Sequence, residues 1–113
     1  MFILNELAFE AMLENYKQVN NANPIIKLAI DSMSYEYNRE RYNNCLLRIN
    51  EESNQIANIY NHISQRGGII TPQEQHELQK HIQLRNEYEV RSMKHILSGS
   101  KDAVGIVNNL VGK

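Results

Sequence analysis

The chain has 113 residues and a formal net charge of −1. A chain of this size predicts one small domain, residues 1–113, and a charge so close to zero argues against nucleic acid and anionic membranes as partners. No apolar run approaches the roughly 20 residues that cross a bilayer, so we expect no membrane span.

Residues 1–22 are predicted to form a short amphipathic helix and a link. Phe9, Met12, Leu13 and Tyr16 recur at helical spacing, and acidic residues lie between them. The start of the chain lacks the basic residues and the cleavage site of a secretory signal peptide. The link is rich in asparagine, which favours turns and helix caps. We expect Asn23–Pro24 to begin the next helix, with the asparagine as cap.

A first long helical arm is predicted over residues 24–66, because no glycine or proline interrupts it after position 24. A bend between Asp31 and Asn38 is left open as an alternative to one continuous helix. In the second half of the arm, apolar and aromatic side chains recur at steps of four and three residues, which predicts a coiled-coil seam interrupted only by Ser53. The seam consists of Tyr42, Leu46, Ile49, Ile56, Tyr60 and Ile63.

A helix stop and a helix start follow each other closely after the first arm. Gly67 suits the left-handed conformation that ends many helices. Thr71 and Glu74 have the spacing of a capping box, and Pro72 would occupy the first helical position. These residues predict the joint of a helical hairpin.

Residues 71–113 are predicted to form the second arm and a short apolar C-terminal helix. Ser98–Ser100, with a central glycine, is expected to be a flexible joint between the two. The segment after the joint is the most apolar part of the chain and would be exposed in isolation. The predicted fold is therefore all-α: a hairpin of two long helices, a short N-terminal helix and a short C-terminal helix.

No catalytic or metal-binding motif is recognisable in the sequence. The four histidines, at positions 62, 76, 81 and 95, include no pair four residues apart, so no two share a helix face as metal ligands would. We expect them to be solvated. The single cysteine, Cys45, excludes an internal disulfide and is expected to be a buried small apolar side chain. We expect no enzymatic activity, no cofactor and no metal site.

The C-terminal sequence resembles a known family. Lys101 precedes a stretch of small and apolar residues, Val104–Val107, and the pair Leu110–Val111 lies near the end of the chain. This arrangement resembles the last segment of the inner rod proteins of type III secretion systems. The same family is matched by the proline-started helix with Pro72, Leu78, Gln79 and Ile82, by Ser92–Met93, and by the step from Phe9 to Leu13 near the N-terminus.

The resemblance implies a structural subunit of a bacterial type III protein export apparatus. Such a subunit is exported by the type III pathway, is assembled in the cell envelope, and polymerises by helix packing with copies of itself and with other subunits of the apparatus. The expected interface places the C-terminal apolar side chains against others of the second arm. Its residues are Leu78, Ile82, Met93, Leu97, Val104, Val107, Leu110 and Val111.

The long, regular seam departs from the family pattern and leaves other interpretations open. One is a soluble, cytoplasmic helical adaptor or chaperone that binds a partner helix along Tyr42–Ile63. Another is a free-standing helical bundle that dimerises through the same seam. A needle subunit or another small helical export component is a further alternative.

Overall fold

The protein is all-α. A computed structural model describes residues 2–19 and 23–112, and these form three helices: α1 (Phe2–Val19), α2 (Pro24–Gln65) and α3 (Pro72–Val111). The prediction of a short N-terminal helix followed by two long, packed helices is confirmed.

Both long helices are continuous: α2 has no break, and α3 has no joint. Helix α2 runs without a break through Asp31–Asn38. The predicted joint at Ser98–Ser100 is wrong, because α3 passes through these residues and the C-terminal segment is the end of α3, not a separate helix. Gly99 is buried, and a Cβ atom built on it would lie 3.6 Å from the Cβ atom of Asn38. Packing against α2 thus outweighs the small helix penalty of one glycine, about 1 kcal/mol.

The helix ends form as the sequence predicts. The Asn23 side-chain oxygen accepts hydrogen bonds from the backbone N–H groups of Ile25 and Ile26, at 3.1 and 3.2 Å, at the start of α2. At the start of α3, the Thr71 hydroxyl accepts from the Glu74 N–H at 3.2 Å, and the Glu74 carboxylate accepts from the Thr71 N–H at 3.0 Å. The capping box is therefore reciprocal, as predicted.

In the turn after α2, two consecutive glycines adopt the left-handed conformation, whereas only Gly67 was predicted to do so. Gly67 and Gly68 have φ values of 82° and 88°, which a residue with a side chain rarely adopts. Arg66 donates to the Ile69 carbonyl oxygen at 3.0 Å and also pairs with the Glu74 carboxylate. This ion pair holds the pKa of Glu74 at about 2, below its ordinary value of 4.5, chiefly through the hydrogen bond from Arg66.

The chain divides into two compact units. The hairpin unit is Glu40–His95, in which parts of α2 and α3 pack on each other on either side of the turn. Its apolar core contains Ile56 and Ile63 from α2 and Leu78 from α3, with Ile59 packed against them. This small core is what joins the two arms of the hairpin unit.

The three-helix unit consists of Met1–Arg39 and Ile96–Lys113, and so contains α1, the start of α2 and the end of α3. Within the part of this unit whose side chains are described, the buried apolar residues are Leu13 and Ile30. The buried polar residues are more numerous: Asp31, Ser34, Asn38 and Asp102. The interior of this unit is therefore unusually polar.

Candidate functional site

A buried carboxylate lies where the three helices of the three-helix unit meet. Asp102, on α3, is 2% exposed. One of its oxygens accepts from the Lys17 ammonium of α1 at 2.6 Å. The other accepts from the Ser34 hydroxyl at 2.5 Å and from the Asn38 amide at 3.3 Å, both on α2. Asp102 thus binds both other helices of the unit through one side chain.

This arrangement follows from the cost of burying a charge. A carboxylate taken out of water is strongly destabilising unless a counter-charge and hydrogen bonds replace its hydration. Lys17 supplies the charge, while Ser34 and Asn38 supply the remaining donors. The Asn38 amide is itself fixed by a bond to the Ser34 carbonyl oxygen at 2.9 Å. The cluster therefore specifies how α1 lies on the other two helices.

A second ion pair lies at the contact between α2 and the end of α3. The Lys27 ammonium binds the buried Asp31 carboxylate at 2.6 Å, one helical turn away. Gly105 of α3 passes directly over this pair: a Cβ atom on it would lie 2.6 Å from Asp31 Oδ2 and 3.2 Å from Lys27 Nζ. A side chain at position 105 would therefore force the Lys27–Asp31 pair to shift.

Within the three-helix unit, α3 buries Gly99 and Asp102 against the other helices, with Ala103 and Ile106 half-buried beside them. Its exposed side carries several large apolar side chains, among polar residues such as Ser100 and Asn108. At about 100° per residue, Leu97, Val104 and Val107 lie about 140–160° round the helix from Asp102. We call the exposed apolar side chains of this segment the tail stripe: Leu97, Val104, Val107, Leu110 and Val111, with exposed fractions of 64%, 59%, 55%, 58% and 78%.

The tail stripe has the spacing of a helix-packing surface. Leu97, Val104 and Val111 are seven residues apart, and Val107 lies between the last two, as at the a and d positions of a coiled coil. Exposed apolar side chains scattered singly are ordinary, but a continuous row on one helix face marks an interaction surface. The geometry of this face fits another helix laid along it.

The predicted interface residues are thus mostly at the surface. Ile82 and Met93 are exposed on α3, like the members of the tail stripe, whereas Leu78 is buried in the core of the hairpin unit. Because all of these residues belong to one continuous helix, the C-terminal segment cannot fold back onto the others within a chain. Any contact between the two sets has to be made between copies.

The seam predicted on α2 coincides with the buried line at every second position. Ile56 and Ile63 are in the core of the hairpin unit, and Tyr42 and Ile49 are half-buried, but Leu46 and Tyr60 are exposed. The buried and half-buried positions instead include Cys45, as expected for that residue, together with Glu52 and Ile59. Both lines have heptad spacing, so the apolar pattern alone could not select the one that packs on α3.

One polar contact also joins the two helices along the packed line. The Glu52 carboxylate of α2 lies 2.5 Å from the His81 Nδ1 atom of α3. The expectation that all four histidines are solvated is therefore wrong for His81 and for His95, which is buried, whereas His62 and His76 are exposed. In the described part of the chain, no group of His, Cys, Asp or Glu side chains is placed to hold a metal ion.

The residues of the Asp102 cluster were missed by the sequence reasoning, although a signal for them exists. Asp31, Ser34 and Asn38 on α2 follow one another at steps of three and four, as do Gly99 and Asp102 on α3 at a step of three. A search for heptad spacing among small and polar residues, as well as among apolar ones, would have found both lines.

Comparisons with known proteins add no assignment. None of the helices described is both long and apolar enough to cross a membrane. Known protein families, curated proteins and solved structures contain no match to this chain.

Proposed function

We propose that this chain is a structural subunit of a bacterial protein export apparatus, of the type III inner rod kind, that polymerises through the tail stripe of α3. The proposal joins the resemblance of the C-terminal sequence to one observation, the exposed apolar face of α3 in the three-helix unit. Its mechanism is helix packing between copies, not catalysis. Export by the type III pathway and assembly in the cell envelope belong to the same proposal.

The physical argument rests on what the tail stripe would gain from a partner. Burying a valine or leucine side chain contributes about 1.5–3 kcal/mol relative to leaving it exposed. Five such side chains lie in a row on the tail stripe. Even after the entropy lost on association, such a row supplies a substantial driving force for assembly. A helical array requires the stripe of one copy to pack on a different surface of the next, for which the exposed Ile82 and Met93 of α3 are the predicted residues.

The adaptor or chaperone interpretation ranks second. It needs the Tyr42–Ile63 seam to be open to a partner helix, and Leu46 and Tyr60 are exposed as this requires. However, Ile56 and Ile63 already pack against Leu78 of the same chain. A partner would have to displace α3 to use the whole seam, so its docking would disrupt the apolar core of the hairpin unit.

The test compares two substitutions in the full chain. Val107→Glu places a charge in the tail stripe, and Asn54→Glu places the same charge on an exposed residue of α2. In sedimentation velocity, wild-type protein and Asn54→Glu should form concentration-dependent polymers, and Val107→Glu should remain a discrete small species. Equal association of all three proteins would refute assembly through the tail stripe.

A cellular test separates the export role from assembly alone. In the source bacterium, removing the chain should stop the secretion of type III substrates. Asn54→Glu should restore secretion, and Val107→Glu should not. Normal secretion without the chain would remove the export interpretation while leaving the polymerisation result intact, and the seam would then be tested with a candidate partner helix.

A further inference from the structure

We infer that the tail stripe of one copy packs on the outer face of α2, near the start of that helix, in the next copy. The inference rests on the proposed function and deepens it by naming the surface that receives the stripe. We call this surface the α2 row. It consists of Ile25, Ile26, Ala29 and Met33.

The α2 row is exposed on the three-helix unit. Ile25, Ile26 and Met33 have exposed fractions of 73%, 41% and 42%, and Ala29 is exposed as well. At about 100° per residue, these side chains lie about 120–160° round α2 from the buried Asp31. Because Asp31 lies against α3, the α2 row points away from that helix.

The tail stripe and the α2 row therefore look out from opposite sides of the unit. The stripe lies opposite Asp102, which binds Ser34 and Asn38 of α2, and the α2 row lies opposite Asp31. A contact between two copies uses the stripe of one and the row of the other. It leaves one surface of each kind unfilled, which is the requirement for an open array.

The residues that the sequence predicts to receive the stripe would close the assembly instead. Ile82 and Met93 lie within about 60° of Leu97 round the continuous helix α3, so they share its exposed face. Two copies that pack the stripe on these residues would meet face to face, and each would fill the other's contact at once. Such a two-fold pair leaves no surface for a third copy.

Charge complementarity fixes the direction in which the stripe and the row meet. Lys101 is exposed one turn before Val104, and Glu36 is exposed one turn after Met33. When the stripe runs antiparallel to the α2 row, Lys101 meets Glu36 while Val104 meets Met33. In the parallel direction, Lys101 would lie at the start of α2, where the positive end of the helix dipole disfavours a cation.

The antiparallel direction also repeats the arrangement of α2 and α3 inside the chain. Asp102 binds Ser34, and farther along α3 the Asn109 amide donates to the carbonyl oxygen of Pro24, at the start of α2, at 2.7 Å. The two helices are thus antiparallel within one copy. Since the contact between copies has the same direction, each added copy has the orientation of the last, and the array has a direction.

The first experiment blocks one surface in each of two full-length variants. Val107→Glu charges the tail stripe and leaves the α2 row intact, whereas Ala29→Glu charges the α2 row and leaves the stripe intact. In sedimentation velocity, each variant alone should remain monomeric where wild-type protein and the Asn54→Glu control polymerise. A mixture of the two should form a 1:1 dimer and nothing larger, because one intact stripe and one intact row can meet only once.

Polymers or a discrete dimer of Ala29→Glu alone would overturn the inference, because the stripe would then pack on another surface, and the proposed function would survive. A mixture that stays monomeric would overturn it as well. Wild-type protein that never associates, or Val107→Glu that still polymerises, would remove the proposed function itself. If Ala29→Glu loses helix content in circular dichroism, Ile25→Glu takes its place, since Ile25 is more exposed than the other large side chains of the row.

The second experiment exchanges the two charges. Lys101→Glu and Glu36→Lys, each alone, should raise the concentration at which half of the protein is assembled by about two- to fivefold, the usual effect of an exposed ion pair. The double variant has an opposite pair at every contact and should return this concentration to the wild-type value. A double variant that assembles as weakly as the single ones would overturn the inferred contact of Lys101 with Glu36.

Discussion

Replacing Gly99 with alanine tests most directly whether α3 is a continuous helix through Ser98–Ser100. In a continuous α3, alanine removes a helix penalty of about 1 kcal/mol, and its Cβ atom meets the Cβ atom of Asn38 at 3.6 Å, an ordinary contact. The entropy of unfolding is about 2.1 cal/mol/K per residue, or about 0.24 kcal/mol/K for 113 residues. The gain of about 1 kcal/mol should therefore raise Tm by about 4 °C.

Gly105→Ala is the matched control on the same helix. It brings the same gain in helix propensity, but its Cβ atom would lie 2.6 Å from the buried Asp31 carboxylate. Overpacking of this kind costs about 1–3 kcal/mol, so the Tm should stay at the wild-type value or fall. Thermal unfolding followed by circular dichroism measures both variants. A Gly99→Ala variant that is no more stable than wild type would show that these residues are not held in a helix.

Two further predictions concern the hairpin unit. Leu78→Ala should lower the free energy of unfolding by about 2–4 kcal/mol, because it leaves a cavity in the core. Ile82→Ala, one turn further along α3 and exposed, should lower it by less than about 1 kcal/mol. Urea titrations measure both values, and similar losses for the two variants would contradict the described core. The ionised Glu74 paired with Arg66 has its pKa lowered to about 2 from 4.5, so its contribution is present above pH 4.5 and is lost as the pH falls toward 2. Glu74→Gln keeps a capping oxygen but loses the charge. The free energy of unfolding of this variant should be lower than that of wild type above pH 4.5, and the difference should shrink as the pH falls toward 2. A difference that does not change with pH would contradict the ion pair.

The proposed function depends on exposed apolar side chains, and the sequence pattern predicted their position only in part. The C-terminal apolar residues, including Val104 and Val107, are exposed, and they belong to α3 and not to the separate helix that was predicted. The inner rod class rests on the sequence resemblance and stays a prediction. Half of the α2 seam lies on the line that packs, but Leu46 and Tyr60 were chosen where Cys45 and Ile59 are more buried.

What the sequence alone determined about this protein is local. Caps and turns depend on residues within a few positions of one another, which is why Asn23, Thr71 and Glu74 could be assigned their bonds beforehand. The class of the fold follows from the same information, because long stretches without glycine or proline have few alternatives to helix.

What only the tertiary structure decided is which face of each helix is buried. A line of polar residues and a line of apolar residues on one helix can have the same heptad spacing. Which line is buried depends on the side chains of the other helices that pack against it. Lys17, Ser34 and Asn38 make the burial of Asp102 tolerable, although 85, 68 and 64 positions separate them from it in the chain. Because those partners come from distant parts of the sequence, no local pattern could show that α3 turns Asp102 inward and leaves Val104 and Val107 exposed.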